Sequence, residues 1–188
     1  LQATYDFQTL ICNLFAMDVA DAGMYDGPTS LAEAALMACR VTKRGRVALL
    51  DGISPTYQAV LDTYTKAQGI DIVRVDTQID KLPQDTSCLI VQQPNFFGYL
   101  EDIQRLEPIA HSDGALLVVS ANPVAMALFR PPGDFNADIV TGEGQGLGIP
   151  PSFGGPYLGL FSSRQRYIRQ MPGRIAGKTE DSEGGSGY

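Results

Sequence analysis

Apolar residues along this chain follow two different periods. At the start, Ala3, Phe7, Leu10, Ile11, Leu14 and Phe15 recur three and four apart, which predicts an amphipathic helix over residues 2–16. Asp18 to Gly23 reads as a short polar break. The next periodic stretch opens on Asp26-Gly27-Pro28-Thr29-Ser30. Proline suits the first helical position because its missing N–H would be unpaired there, and Asp26 or Gly27 can serve as the N-cap. Leu31, Ala34, Ala35, Ala38 and Cys39 then form a stripe that predicts a helix to about Val41, and its small residues imply close packing. Beyond it the apolar residues come in unbroken runs. Arg46–Asp51, Ile70–Val75, Thr86–Gln92, Ala115–Val119, Asp138–Thr141 and Tyr157–Phe161 read as strands. Helices are expected between and after them at about 55–68, 100–110 and 163–170.

Strands that are apolar throughout, alternating with helices, belong to an α/β fold: a mostly parallel sheet covered by helices on both faces. In such sheets ligands bind outside the C-terminal ends of the strands. The residues to inspect are therefore Gly52–Pro55, Gln92–Gly98, Ser120–Val124 and Gly142–Gly155. No internal repeat is visible.

Composition narrows the function classes. The chain has 188 residues and a net charge of −7, which speaks against nucleic acid, since phosphate neutralisation needs excess Lys and Arg. No apolar run is long enough to span a bilayer, and no basic-then-apolar leader opens the sequence. Cys12, Cys39 and Cys88 are scattered and odd in number, which predicts free thiols in a reducing, cytoplasmic setting and no metal site. The last residues, 179–188, are rich in Gly and Ser and read as a flexible tail after a domain spanning 1–178. The chain reads as a fragment of a longer polypeptide, so extensive exposed apolar surface and self-association are expected.

Candidate chemistry is sparse. The helix start at Gly27, Thr29 and Ser30 offers backbone N–H groups and hydroxyls to a phosphate or another anion, although a well-capped helix without ligand explains the same residues. His111 is the only histidine and reads as an exposed turn residue after a helix rather than a catalytic base. Gly142-Glu143-Gly144-Gln145-Gly146-Leu147-Gly148 is glycine-rich, but Ile149-Pro150-Pro151 follows, so it does not open a helix as a dinucleotide loop must. It reads as a long flexible loop, in which Glu143 could act as an acid/base group but reads more simply as an exposed carboxylate. Phe96-Phe97 could pack over a ligand, or close a core or an interface.

Four blocks carry a resemblance: Phe7-Gln8-Thr9-Leu10-Ile11-Cys12, Met24-Tyr25-Asp26-Gly27-Pro28-Thr29, Pro94-Asn95-Phe96-Phe97-Gly98 and Ser152-Phe153-Gly154-Gly155-Pro156-Tyr157. Together they resemble the glycine cleavage system P-protein, glycine dehydrogenase (decarboxylating), and within it subunit 1, the alpha chain of the two-subunit form. The resemblance runs to about Lys178. It implies the large domain of an aspartate-aminotransferase-like, fold type I enzyme that uses pyridoxal phosphate (PLP). The assembled enzyme, a heterotetramer, would decarboxylate glycine and pass the aminomethyl group to the lipoyl arm of H-protein, with a homologous beta subunit as partner.

The same resemblance implies two vacated positions. Catalytic members place an Asp against the pyridine nitrogen where this chain has Ser120, and a Schiff-base Lys where it has Gln145. A neutral amide forms no imine and a serine hydroxyl does not hold a pyridinium proton electrostatically. Lys43, Lys66, Lys81 and Lys178 lie elsewhere. The implied picture is a subunit with no PLP of its own, in which Gly27, Thr29 and Ser30 are a relic anion site or one that still binds an anion. The alternatives are a non-catalytic scaffold and a stand-alone PLP enzyme that uses another lysine such as Lys178.

Overall fold

The structure is a computed structural model that describes residues 1–188. Helix α1 (Gln2–Phe15) ends at Ala16, whose left-handed backbone closes it. Strand β1 (Val19–Ala20) follows, where the sequence predicts only a polar break; both residues are buried and pair antiparallel with a later strand. Two residues are too few to leave an apolar run. Helix α2 (Gly27–Thr42) starts on a capping box: the Asp26 carboxylate accepts the Thr29 N–H at 2.7 Å, and the Thr29 hydroxyl faces the Asp26 N–H at 3.3 Å. Leu31, Ala34, Ala35 and Ala38 are fully buried, so the small-residue stripe does lie against the sheet.

Next come β2 (Arg46–Leu50), α3 (Pro55–Lys66), β3 (Asp71–Val75), β4 (Thr86–Gln93), α4 (Ile103–Ser112), β5 (Leu116–Ala121), β6 (Ile139–Glu143) and β7 (Gly159–Ser163). The seven-stranded sheet runs β1-β7-β6-β5-β4-β2-β3. β3, β2, β4, β5 and β6 run parallel to one another, β7 pairs antiparallel with β6, and β1 pairs antiparallel with β7 at the edge. The fold is thus α/β with a mostly parallel sheet. Successive strand residues serve opposite layers. Leu89, Val91, Leu117 and Val119 pack with Phe15 and Leu106 on one face, while Cys88, Ile90, Val118 and Ile139 pack with Leu31 and Leu61 on the other. Each central strand is buried on both faces, which is why it reads as a continuous apolar run.

Three other expectations change. The stretch after β7 is a 3-10 helix, Gln165–Gln170, and not an α-helix. β6 extends through Gly142 and Glu143, which therefore end a strand instead of opening a flexible loop. Residues 179–188 form a hairpin of β8 (Thr179–Glu180) and β9 (Ser186–Gly187), with the Tyr188 ring 5.4 Å from that of Tyr5, where composition predicts a flexible tail. The three cysteines are free, Cys88 buried and the other two half-buried. No helix is long and apolar enough to cross a membrane.

Candidate functional site

The C-terminal ends of β2, β4, β5 and β6 open onto one cavity of about 550 Å³. Its polar lining includes Ser54, Tyr57, Gln92, Asn95, Ser120, Asn122, Glu143 and Gln145. Register explains the grouping. Gln92 of β4 pairs with Ser120 of β5, which pairs with Thr141 of β6, so these residues share one face, and Glu143 stands two residues further along it. Ser120, which register puts on that face, and Gln145, in the 3-10 helix (Gln145–Leu147) that follows β6, both line the cavity; these are the two positions that the resemblance singles out.

The loops around the cavity are held by their own side chains. The Gln92 Oε1 accepts the Ser54 N–H at 2.7 Å. The Asn95 Oδ1 accepts the N–H groups of Phe97 and Tyr99, each at 3.0 Å, and its Nδ2 donates to Glu101 at 2.6 Å. The Asn122 Oδ1 accepts from Val124 and Ala125. The Gln145 Nε2 donates to the Pro156 carbonyl at 2.9 Å, which ties the glycine-rich segment to the strap before β7. Phe96 and Phe97 meet edge-on with centroids 5.5 Å apart, and both are exposed at the rim, so they close no core within this chain. Exposed Leu128, Phe153 and Tyr157 add to the apolar surface of the surrounding loops.

Glu143 is not the free loop carboxylate that the sequence suggests. One oxygen accepts the N–H groups of Gln145 and Leu158 at 2.9 and 3.0 Å, and the other accepts the Gly27 N–H at 2.9 Å. A carboxylate of this chain thus sits at the N-terminus of α2, where the helix dipole favours negative charge. The remaining groups of that turn are also used. Thr29 donates its N–H to the Asp26 carboxylate, Ser30 donates its N–H to the Asp26 carbonyl, and both hydroxyls donate to the same carbonyl. Pro28 has no N–H. The expected anion site at Gly27, Thr29 and Ser30 is filled from within. Tyr57, one turn into α3, closes over it, and a Cβ on Gly27 would overlap its hydroxyl. Burial, with the Glu143 and Asp26 carboxylates nearby, pushes the Tyr57 phenol up to about 12.

His111 lies at the other end of the sheet and requires a correction. It sits in the last turn of α4, half-buried, with Nδ1 2.8 Å from Glu107 and Nε2 2.7 Å from Asp138. Asp138 is fully buried and also accepts the Leu117 N–H at 2.9 Å, the Tyr167 hydroxyl and the Arg166 guanidinium. Hydrogen bonding to Asp138 holds the His111 imidazole above its ordinary pKa, against its burial. Burial favours protonation of Asp138, but its donors, His111 first, outweigh that and hold the carboxyl below its ordinary range. This is a structural network, remote from the cavity. Local sequence gave no sign of it because Asp138 is 27 residues away from His111.

The family model described as "Glycine cleavage system P-protein" matches residues 1–188. The chain belongs to the glycine cleavage system P-protein family. A relative from Desulforamulus reducens, named "Probable glycine dehydrogenase (decarboxylating) subunit 1", is 48% identical over 197 residues, covering 100% of this chain and 44% of its own length. The Bacillus subtilis protein of the same name is 45% identical with the same coverage. The crystal structure of a glycine decarboxylase (P-protein) in inhibitor-bound form superposes with a TM-score of 0.95 at 40% identity, over 99% of this chain and 44% of that one. The chain therefore spans less than half the length of these relatives. Cystathionine gamma-lyase from Lactobacillus plantarum shares the fold, with a TM-score of 0.71 at 16% identity over 87% of this chain and 42% of that one.

Fold and family together imply PLP, and the residues present do not fit it. The start of α2, the donor-rich helix terminus beside the cavity, has no free donor and holds Glu143. Ser120 offers the cavity a neutral hydroxyl and no charge. No Lys, Arg or His lines the cavity, and Lys178 is not among its residues. Tyr57 was missed and could have been suspected only from its place in the first turn of the helix after β2; Glu143 was considered as an acid/base group, but its role on the α2 donors was not legible.

Proposed function

We propose that this chain is the large-domain part, residues 1–178, of a subunit 1 of glycine dehydrogenase (decarboxylating). It works as a cofactor-free sister of a catalytic subunit that carries the PLP. The assembled enzyme would decarboxylate glycine and transfer the aminomethyl group to lipoylated H-protein. The observation that carries the reading is the carboxylate of Glu143 on the N-terminal donors of α2, beside a cavity without a cationic side chain. A dianionic phosphate brought there would meet a carboxylate with no countercharge, which is unfavourable in a partly buried site. Gln145 and Ser120 are the vacated Schiff-base and pyridinium positions, and Gly27, Thr29 and Ser30 are the relic phosphate turn. The chain itself contributes a rigid sheet, a closed turn and exposed apolar loops at Phe96, Phe97 and Phe153.

The test is reconstitution. Glycine decarboxylation is measured with the full-length protein, a homologous beta subunit and lipoylated H-protein. The beta subunit alone is expected to be slow and to gain its full rate on addition of this protein. A full rate without it would reduce this protein to a scaffold. Activity of this protein alone would restore the stand-alone reading.

A further inference from the structure

At the β1 edge of the sheet, outside the cavity, the chain passes over a buried acid. Residues 172–178 have no regular structure and are mostly exposed; they link the 3-10 helix Gln165–Gln170 to the β8–β9 hairpin. Met171, packed against the α2 side of the sheet, marks where the segment leaves the core. Three hydrogen bonds tie the segment down. The Ala22 N–H donates to the Arg174 carbonyl at 2.8 Å, the Ala176 N–H donates to the Gln8 Oε1 at 2.8 Å, and the Gln8 Nε2 donates to the Ala176 carbonyl at 3.0 Å. Asp21 lies underneath. Its N–H donates to the Phe161 carbonyl of β7 and its Oδ1 accepts the Gly23 N–H, both at 3.1 Å. Its Oδ2 is buried without a partner, on a residue that is 1% exposed. Gly173 roofs that oxygen. Its φ of +79° is left-handed, and a Cβ there would come within 2.9 Å of the Oδ2.

No cation pairs with the acid. On the segment itself the charged groups are Arg174 and Lys178, and Arg174 shares a neighbouring cleft with Glu33 of α2 and Tyr25. Arg40 of α2 serves the Gln170 carbonyl. Asp18, before β1, accepts the Gln165 N–H and lies 3.8 Å from Arg164. In the 3-10 helix Arg166 and Tyr167 serve Asp138, which leaves Arg169. α1 carries Tyr5, Asp6 and Cys12, and β7 carries no titratable side chain. None of these governs Asp21. Burial does, opposed by the N–H groups of Gly23 and of Asp21 itself, and it raises the carboxyl to about 7.

Lifting the segment hydrates the carboxyl and returns it to its ordinary range near about 4. The closed form then keeps a proton that the open form releases. Opening therefore becomes easier as pH rises from about 4 to 7, by up to about a thousandfold, and levels off above, where both forms are ionised. Little other structure is lost, because the three hydrogen bonds go while β6 and β7 stay paired beneath. We propose that residues 172–178 are a pH-gated latch. Seated on the neutral acid, they hold the β8–β9 hairpin and its Tyr188–Tyr5 contact against α1; ionisation of Asp21 lifts them and releases the hairpin.

Hydrogen–deuterium exchange on the full-length protein tests it at pH 5 and pH 7.5, with each rate corrected for intrinsic exchange at that pH. The Ala22 and Ala176 amides report the latch, and those of β4 and β5 report global unfolding. From pH 5 to 7.5 the latch amides are expected to lose protection by about ten- to a hundredfold, and at pH 7.5 to exchange well ahead of β4 and β5. In Asp21→Asn, which keeps the shape and removes the titration, the loss should shrink to less than about threefold. Latch protection that does not change with pH overturns the proposal. So does latch exchange that only keeps pace with β4 and β5, since the segment would then open only with the whole domain. A pH dependence that persists in Asp21→Asn overturns it as well.

Discussion

Replacing Glu143 with Ala separates a carboxylate that is a structural ligand from one that is merely near the helix. The variant loses three hydrogen bonds, to the N–H groups of Gly27, Gln145 and Leu158 at 2.9, 2.9 and 3.0 Å. Their surroundings set the cost. Gly27 is buried, so its N–H finds no water, and leaving it unpaired costs about 1–3 kcal/mol. Gln145 and Leu158 are only half-buried, so water replaces much of their bond and each contributes about 0.5–1 kcal/mol. Loss of negative charge at the helix start adds about 0.3–1 kcal/mol. The sum is roughly 2–6 kcal/mol of unfolding free energy. Glu143→Gln should cost less, about 1–4 kcal/mol, because the amide oxygen still serves Gln145 and Leu158 while its NH2 faces the Gly27 donor and the charge is lost. Urea unfolding of the full-length protein at pH 7 measures both, provided that the m-value is unchanged. A Glu143→Ala protein within about 0.5 kcal/mol of wild type would refute the reasoning, since surface changes of no consequence fall in that range.

Three further outcomes follow from groups outside the cavity. Asp21 is 1% exposed with one carboxylate oxygen unpartnered, and burial raises its pKa to about 7. Because the folded pKa lies above the unfolded one, the ionised form penalises the native state: stability falls as pH rises from about 4 to 7, by about 4 kcal/mol at most. Asp21→Asn should therefore be the more stable protein at pH 8 and lack that slope; urea titrations at pH 5 and pH 8 that show no difference in ΔΔG would disprove it. His111 has a raised pKa, so the stability from its contacts with Asp138 and Glu107 is present below pH 6.5 and lost as pH rises through the folded value. Thermal melts of His111→Gln from pH 5 to 9 should show a destabilisation that shrinks toward high pH, and a pH-independent difference would remove the charged pair from the account. A Cβ on Gly133 would overlap the backbone carbonyl oxygen of Ala16, which cannot swing away as a side chain can. Gly133→Ala is expected to cost about 1–3 kcal/mol in denaturant, and a neutral result would mean that the α1 end and the 132–135 turn separate readily.

The architecture was legible because its central strands are buried on both faces. Leu89-Ile90-Val91 and Leu116-Leu117-Val118-Val119 feed two cores at once and so carry no polar alternation. β1 was invisible, since two residues in a strand carry no periodicity. The hairpin at 179–188 was equally hidden: glycine-rich composition signals freedom, and its pairing is a property of geometry. Ser120 and Gln145 were singled out through resemblance; sheet register places Ser120 at the cavity, and Gln145 reaches it from the 3-10 helix after β6. The role of Glu143 was not legible. Its partners lie 2, 15 and 116 residues away, and only the crossing of α2 over the end of β6 brings the Gly27 N–H to it. His111 failed for the same reason, since its partner Asp138 belongs to the start of a different strand.

The measurement to make first is borohydride reduction of the full-length protein after incubation with PLP, followed by peptide mapping across residues 1–188. The account predicts no stoichiometric pyridoxyl label on Lys43, Lys66, Lys81 or Lys178, because none of them lines the cavity and Gln145 cannot form an imine. A full equivalent of label on any one of these lysines would contradict it and would identify a cofactor site on this chain.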